Sequence, residues 1–191
     1  PDVRGFRLSE NRGQSAAMVL GLRAATGQYC ATMDGDGQND PADFAKLIAA
    51  IKAGRGDICV GKRAKRQDTW SRKVASRLAN AIRRQFLADG VSDTGCSLKV
   101  FPRAAVDALV AFNGQHRFMP AVFLKHGYTL CEEPVNHRPR TSGVSKYSNW
   151  ERALRGLYDL FGVAWLLTRT VVYPEVSEHT PDAATPQTDQ P

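Results

Sequence analysis

Two hydrophobic periods alternate along the chain. Short, nearly unbroken apolar runs at residues 6–9, 28–33, 57–61 and 128–135 predict strands, and 93–101 predicts a loop running into another. Runs with so few polar interruptions suit strands covered on both faces. Between them, apolar residues recur at helical spacing. Residues 15–26 predict a helix ending at Gly27. Pro41 opens a second, because its missing N–H costs nothing at a first helical position. Phe44, Leu47, Ile48 and Ile51 mark the inner face of that helix, which stops at Gly54-Arg55-Gly56. Val74, Leu78, Ile82 and Phe86 form an i, i+4 stripe, the core side of a basic helix over 71–88. Shorter helices are predicted over 102–112 and 117–125. A longer one over 147–167 is amphipathic at its start and nearly apolar at its end. Residues 11–14 and 136–146 read as polar loops. The strand–helix–strand–helix–strand order predicts an α/β protein with a parallel sheet. From Pro174 onward, Pro, Thr, Asp and Gln follow without periodicity, which predicts a disordered tail.

Composition narrows the function classes. A chain of 191 residues, 42% hydrophobic and 24% charged, can bury one real core. Its longest apolar stretch, 160–167, is far short of the ~20 residues that span a bilayer. No signal peptide is recognised, and the chain enters a strand-like segment almost at once, as though it began inside a fold. Cys30, Cys59, Cys96 and Cys131 are widely spaced in or beside apolar runs, which predicts buried thiols in a reducing compartment. The net charge of +7 and pI of about 9.5 call for an anionic partner. Nucleic acid is excluded, because only Trp70 and Phe86 interleave the basic stretch and no nucleic-acid motif is present. Phosphorylated small molecules and lipid headgroups remain.

The densest chemistry follows the strand at 28–33, in Met33-Asp34-Gly35-Asp36-Gly37-Gln38-Asn39-Asp40-Pro41. In extended backbone, residues i, i+2 and i+4 point the same way. Asp34, Asp36 and Gln38 can therefore present three oxygens at the carboxyl end of a strand, where open α/β sheets bind ligands. Hard oxygen donors suit Mg²⁺ or Mn²⁺, with phosphates and water completing the shell. The same residues also suit a plain turn, whereas the calcium-loop spacing is not met, because Asp40 precedes Pro41 and no closing Glu follows. A second cluster, Lys62, Arg63, Lys65, Arg66, Arg72, Lys73, Arg77, Arg83 and Arg84, stands against the single acid Asp68. It reads either as a solvated helix face or as phosphate-binding cations at the same sheet edge as Asp34. Asp93-Thr94-Gly95 is either a turn or a carboxylate offered to the cleft. The stretch from His137 to Tyr147, rich in Arg, Ser, Gly and Lys, reads as a solvated loop or as a lid over a phosphorylated ligand.

Taken in order, these stretches resemble a family-two glycosyltransferase, in the bacterial branch of dolichol-phosphate mannose synthases and polyprenyl-phosphate glycosyltransferases. The matches are Asn11-Arg12-Gly13, Ala24-Ala25-Thr26-Gly27, the Met33–Pro41 loop and Gly61-Lys62-Arg63 with Trp70-Ser71-Arg72-Lys73. Asp93–Lys99 and His137-Arg138-Pro139-Arg140 with Gly143–Tyr147 complete them. Together they cover about residues 5–170. The resemblance implies a GT-A (Rossmann-like) fold and inverting, metal-dependent transfer from a GDP- or UDP-sugar to a dolichyl or undecaprenyl phosphate. It implies that Asp34 lies near sugar and ribose, that Asp36 and Gln38 bind Mg²⁺ or Mn²⁺, and that Asp93 lies near the reaction centre. Arg63, Ser76 and Arg77 would hold the acceptor phosphate. Asn11, Arg138, Arg140, Ser145 and Lys146, with Asp34, would hold the donor and its diphosphate. The resemblance divides the chain into a transferase domain (1–146), a C-terminal helix for a membrane surface (147–173) and a tail (174–191). It places the protein in the cytoplasm, peripheral on the inner face of the plasma membrane, against anionic lipid or a small membrane protein, with a core position for the C-terminal helix as the alternative.

The family's opening Val-Pro-x-Tyr-Asn-Glu strand and its Asp-Asp-Gly-Ser strand do not occur in this sequence, so the domain is expected to be incomplete at its N-terminus. Two alternatives stay open. One is transfer to a glycan hydroxyl with Asp93 as base. The other is a non-catalytic remnant that binds a membrane partner.

Overall fold

The computed structural model describes residues 3–63, 83, 85–87, 89–138 and 149–172, with backbone alone for 149–154. Expectations for 71–82, for the lid over 139–146 and for the tail over 174–191 lie outside the described residues. Four strands form one sheet: β1 (Tyr29–Thr32), β2 (Ile58–Arg63), β3 (Lys99–Pro102) and β4 (Leu130–Val135). Helices with bounds among the described residues are α1 (Gly13–Ala24), α2 (Phe44–Lys52), α3 (Met119–Lys125) and α4 (Asn149–Arg169).

The sheet order is β1-β3-β2-β4. β2 and β4 are parallel, with Ile58 opposite Leu130 and Arg63 opposite Val135. β3 runs antiparallel to both β1 and β2. The parallel sheet expected from the sequence is therefore a mixed one. Periodicity encodes which residues are buried and leaves strand direction open; direction follows from where the preceding loop delivers the chain.

Each apolar run fills one or both faces. Ile58, Val60 and Phe101 pack with Leu22 of α1 and with Met119 and Phe123 of α3. Cys59, Val100 and Val135 pack on the other face with Leu47 and Ala50 of α2. α4 adds a third layer, in which Leu160 and Val163 meet Phe118, Ala121 and Leu87. All four cysteines are free thiols; Cys30, Cys59 and Cys96 are buried as expected, whereas Cys131 is half-buried. Burial and the neighbouring Cys131, which faces it in register, push the Cys59 thiol up to about 12.

Three expectations need correction. Residues 6–9 form no strand, because a strand exists only by pairing and no described strand pairs there. Phe6 is exposed there, with Arg4 over its ring at 5.6 Å. Residues 102–112 form only a short 3₁₀ turn, Arg103–Ala108. The described part of the basic helix buries Leu87 and exposes Phe86, which meets Phe161 edge-on at 5.2 Å. Phe86 thus serves α4 rather than the sheet.

Gly61 marks the tightest approach in β2. A Cβ there would come within 3.0 Å of both Cys96 Sγ and Val135 Cγ2. Overpacking of this kind costs about 1–3 kcal/mol. Gly61→Ala should lower unfolding stability by that amount in urea titrations, and an unchanged midpoint would contradict the packing.

Candidate functional site

Because β3 opposes β1 and β2, the carboxyl ends of β1, β2 and β4 share one edge, and the segment leading into β3 starts there too. Every described site residue except Asn11, which stands just before α1, lies at or after one of these ends or in that segment. The loop after β1 alternates as its pattern predicts: Met33, Gly35 and Gly37 are exposed, while Asp34, Asp36 and Gln38 are half-buried. Gly37 takes a φ of 75°, where side chains are strained. The resulting turn is closed by Gln38 N–H donating to Asp36 Oδ1 at 3.2 Å.

The loop is held from three sides. Gln14 of α1 donates through Nε2 to Asp34 Oδ1 at 2.9 Å. Ser97 Oγ accepts from Asp34 N–H at 3.1 Å and from Asn39 Nδ2 at 2.9 Å. The Ser97 carbonyl accepts from Thr32 Oγ1 at 2.8 Å. The third hold is the chain after β4. Asn39 and His137 form an isolated antiparallel bridge, and Arg138 N–H donates to the Gln38 carbonyl at 2.8 Å. Below it, the buried Asp43 accepts from Asn136 N–H at 2.7 Å and Lys46 Nζ at 2.6 Å. Arg138 thus arrives beside the acidic loop, and its guanidinium lies on Asp40 Oδ2 at 2.6 Å.

At the end of β2, Arg63 grips Asp93 with three donors: Nε to Oδ2 at 2.7 Å, Nη2 to Oδ1 at 2.6 Å and N–H to Oδ2 at 3.2 Å. Both side chains are largely buried. Gly95 makes the room, since a Cβ there would lie 2.9 Å from Arg63 Nη2. Asn11 accepts from Gly13 N–H at the start of α1, and Gln14, one turn on, is the α1 residue that reaches Asp34. Ser76, Arg77, Arg140, Ser145 and Lys146 lie outside the described residues.

Sequence reading assigned no role to Gln14 or Ser97. Nothing in local spacing marks them, because their partners lie 20 and 58–63 residues away. It also passed over His116. Ser15 Oγ accepts from Gly114 N–H at 2.9 Å and shares a hydrogen bond of 3.3 Å with His116 Nδ1. Burial, with Arg117 and Lys99 nearby, pushes the imidazole down to about 4, so it stays neutral at pH 7.

Among the described residues no group of three or more His, Cys, Asp or Glu could enclose a metal ion. The oxygens of Asp36 and Gln38 form an open, hard donor set. That fits Mg²⁺ or Mn²⁺, which take one or two protein carboxylates and complete their shell with phosphates and water.

The family model described as Glycosyl transferase family 2 matches residues 1–110. A relative from Rhizobium johnstonii, the dodecaprenyl-phosphate galacturonate synthase, is 34% identical over 168 residues, covering 86% of this chain and 49% of the relative. The undecaprenyl-phosphate 4-deoxy-4-formamido-L-arabinose transferase of Enterobacter sp. (strain 638) is 37% identical over 154 residues, 80% of this chain and 46% of that protein. The chain spans about half the length of these curated relatives.

His116 sets a pH dependence. Its folded value lies below its ordinary one, so the unfolded chain binds the extra proton between pH ~6.5 and ~4. Stability is full above pH 6.5 and falls as pH drops, by up to about 3 kcal/mol. In urea titrations between pH 7 and 4.5, the wild type should lose about 2 kcal/mol more than His116→Asn. Equal losses would refute the half-buried neutral imidazole.

Proposed function

The chain belongs to glycosyl transferase family 2 and carries its GT-A α/β fold, and from that premise we propose that it moves a sugar from a nucleotide sugar to a polyprenyl phosphate. The observation that carries this reading is the convergence of Asp34, Asp36, Gln38, Arg63, Asp93 and Arg138 at one sheet edge. Carboxylates for a cation next to arginines for phosphates are what a diphosphate leaving group and an anionic acceptor require. The names of the two relatives support a polyprenyl-phosphate acceptor.

In this scheme Asp36 and Gln38 would hold Mg²⁺ or Mn²⁺, which would supply positive charge for the leaving diphosphate. Asp34, fixed by Gln14 and Ser97, orients the donor sugar or ribose. Arg138 and Asn11, with Arg140, Ser145 and Lys146, contact the donor side. Arg63, with Ser76 and Arg77, orients the acceptor phosphate in line for inverting attack on the anomeric carbon. A phosphate monoester is already largely ionised near pH 7, its second pKa being roughly 6. It therefore needs little help from a base. Asp93 fits that acceptor better than a hydroxyl, because both its oxygens carry Arg63. A carboxylate occupied in this way positions an arginine rather than removing a proton.

Residues 1–146 form the transferase unit in this reading, and 147–173 rest on the membrane. α4 exposes Tyr158 and Trp165 alongside Phe161 and Leu157. None of the described helices is long and apolar enough to cross a bilayer. Aromatic side chains on one helix face suit the headgroup boundary, and the excess of basic residues suits anionic lipid on the inner face of the plasma membrane.

Two measurements test the proposal. Transfer from labelled UDP- and GDP-sugars to undecaprenyl phosphate should require Mg²⁺ or Mn²⁺, and Asp36→Asn should lower turnover at least a hundredfold. Unchanged turnover in Asp36→Asn would remove the metal assignment. Trp165→Glu should weaken sedimentation with phosphatidylglycerol vesicles roughly tenfold, from the lost burial of one large aromatic. Equal binding by both would move the contact away from α4.

A further inference from the structure

Lys99 is a buried charge at this edge that the scheme above leaves unused. It is the first residue of β3, opposite Thr32 of β1 and Val60 of β2. That register places it two residues before Asp34 and three before Arg63, in the middle of the site's floor. Its side chain shares a sheet face with Phe101, two residues on. Only 3% of its surface is exposed. Its Nζ donates to the Cys96 carbonyl. No carboxylate lies within ion-pair distance of it among the described residues.

An ammonium carries three protons and accepts nothing. Burying one beside a single carbonyl, with no acid in contact, works against folding. The charges around it explain why it persists. Burial opposes its charged form most strongly, with Arg83 adding to it, while Cys96, Asp34 and Asp93 favour that form. The balance leaves it cationic at pH 7, the value falling to about 8. His116, on the facing 3₁₀ turn, registers the same charge. Asp93 is already gripped by Arg63, and Arg83 by Asp89. The uncompensated field of Lys99 therefore acts on the acidic loop. Buried under it, that field is screened far less by salt than a surface lysine's would be.

We propose that Lys99 is a positioning residue for the diphosphate: a fixed positive charge beneath the acidic loop that weakens the loop's grip on a bare divalent cation and strengthens its grip on the cation–diphosphate pair. Such a charge repels M²⁺ alone and attracts the anionic metal–diphosphate complex. The loop then favours the loaded cation over the empty one. The inference rests on the metal–diphosphate reading of Asp36 and Gln38. A purely structural lysine, holding the 96–97 turn through the Cys96 carbonyl, would act on both affinities in the same direction.

That difference in sign is the test. Mn²⁺ binding to the whole chain is measured by electron paramagnetic resonance, and pyrophosphate binding in saturating Mn²⁺ by calorimetry. Lys99→Met should tighten Mn²⁺ and weaken Mn²⁺–pyrophosphate, each by roughly fourfold or more. Lys99→Arg should leave both within about twofold of wild type. If Lys99→Met does not fold, Lys99→Gln carries the same expectation, since its amide can keep the Cys96 bond. Both affinities falling together, or neither moving, overturns the proposal. Asp36→Asn separates the two levels, since it should abolish Mn²⁺ binding whatever Lys99 does. A wild-type chain that binds neither Mn²⁺ nor pyrophosphate overturns the metal reading and the role of Lys99 with it.

Discussion

The site depends on one strand that runs backwards. β3 lies between β1 and β2 and opposes both, so the segment entering it begins where the other strands end. That segment delivers Asp93 to Arg63 and Ser97 to Asp34 and Asn39. A parallel β3 would begin at the far edge of the sheet, and neither contact could form. Strand direction, more than any single side chain, places the acids and the arginine on one floor.

The second constraint is how charge is buried there. Arg63 with Asp93, and Arg83 with Asp89, are pairs with little or no exposure. Breaking either pair would leave an uncompensated buried ion, which is strongly destabilising. Asp43 is almost fully buried, yet it is bonded by Asn136 and Lys46 and so ties α2 to the chain after β4. The same tie holds Arg138 near Gln38. Lys99 differs from these groups in having a single carbonyl and no carboxylate as its partner.

α4 is joined to this floor through one turn. Arg117 Nη2 meets Asp159 Oδ2 at 3.2 Å. Gly114 has a φ of 95°, and a Cβ there would come within 2.8 Å of the same carboxylate. The next residue but one is His116, which bonds Ser15 one residue after Gln14. The helix that exposes Tyr158 and Trp165 is therefore braced, residue by residue, against the helix that holds Asp34. In the proposed scheme this brace sets the reacting phosphate at a fixed height above the membrane face.

Much of this was legible in the chain. Apolar runs located β1, β2 and β4, although only β2 is buried over most of its length, while β4 carries the half-buried Glu132 and Glu133. The Pro41 start and the Phe44, Leu47, Ile48, Ile51 spacing located α2, and Asp34, Asp36 and Gln38 share a side because period-two geometry is local. Local pattern stops there. The strand at 6–9 failed because pairing needs a partner that periodicity does not supply, and Phe86 left the sheet because α4 competes for it. The reversal of β3, the Ser97 and Gln14 holds on Asp34, the Arg63 grip on Asp93 and the burial of Lys99 all join residues far apart in the chain. What the sequence determined by itself was which residue types stand at which strand ends. Which of them meet was decided only by tertiary structure, because hydrogen bonds and charge burial act across space, on partners that spacing along the chain does not encode.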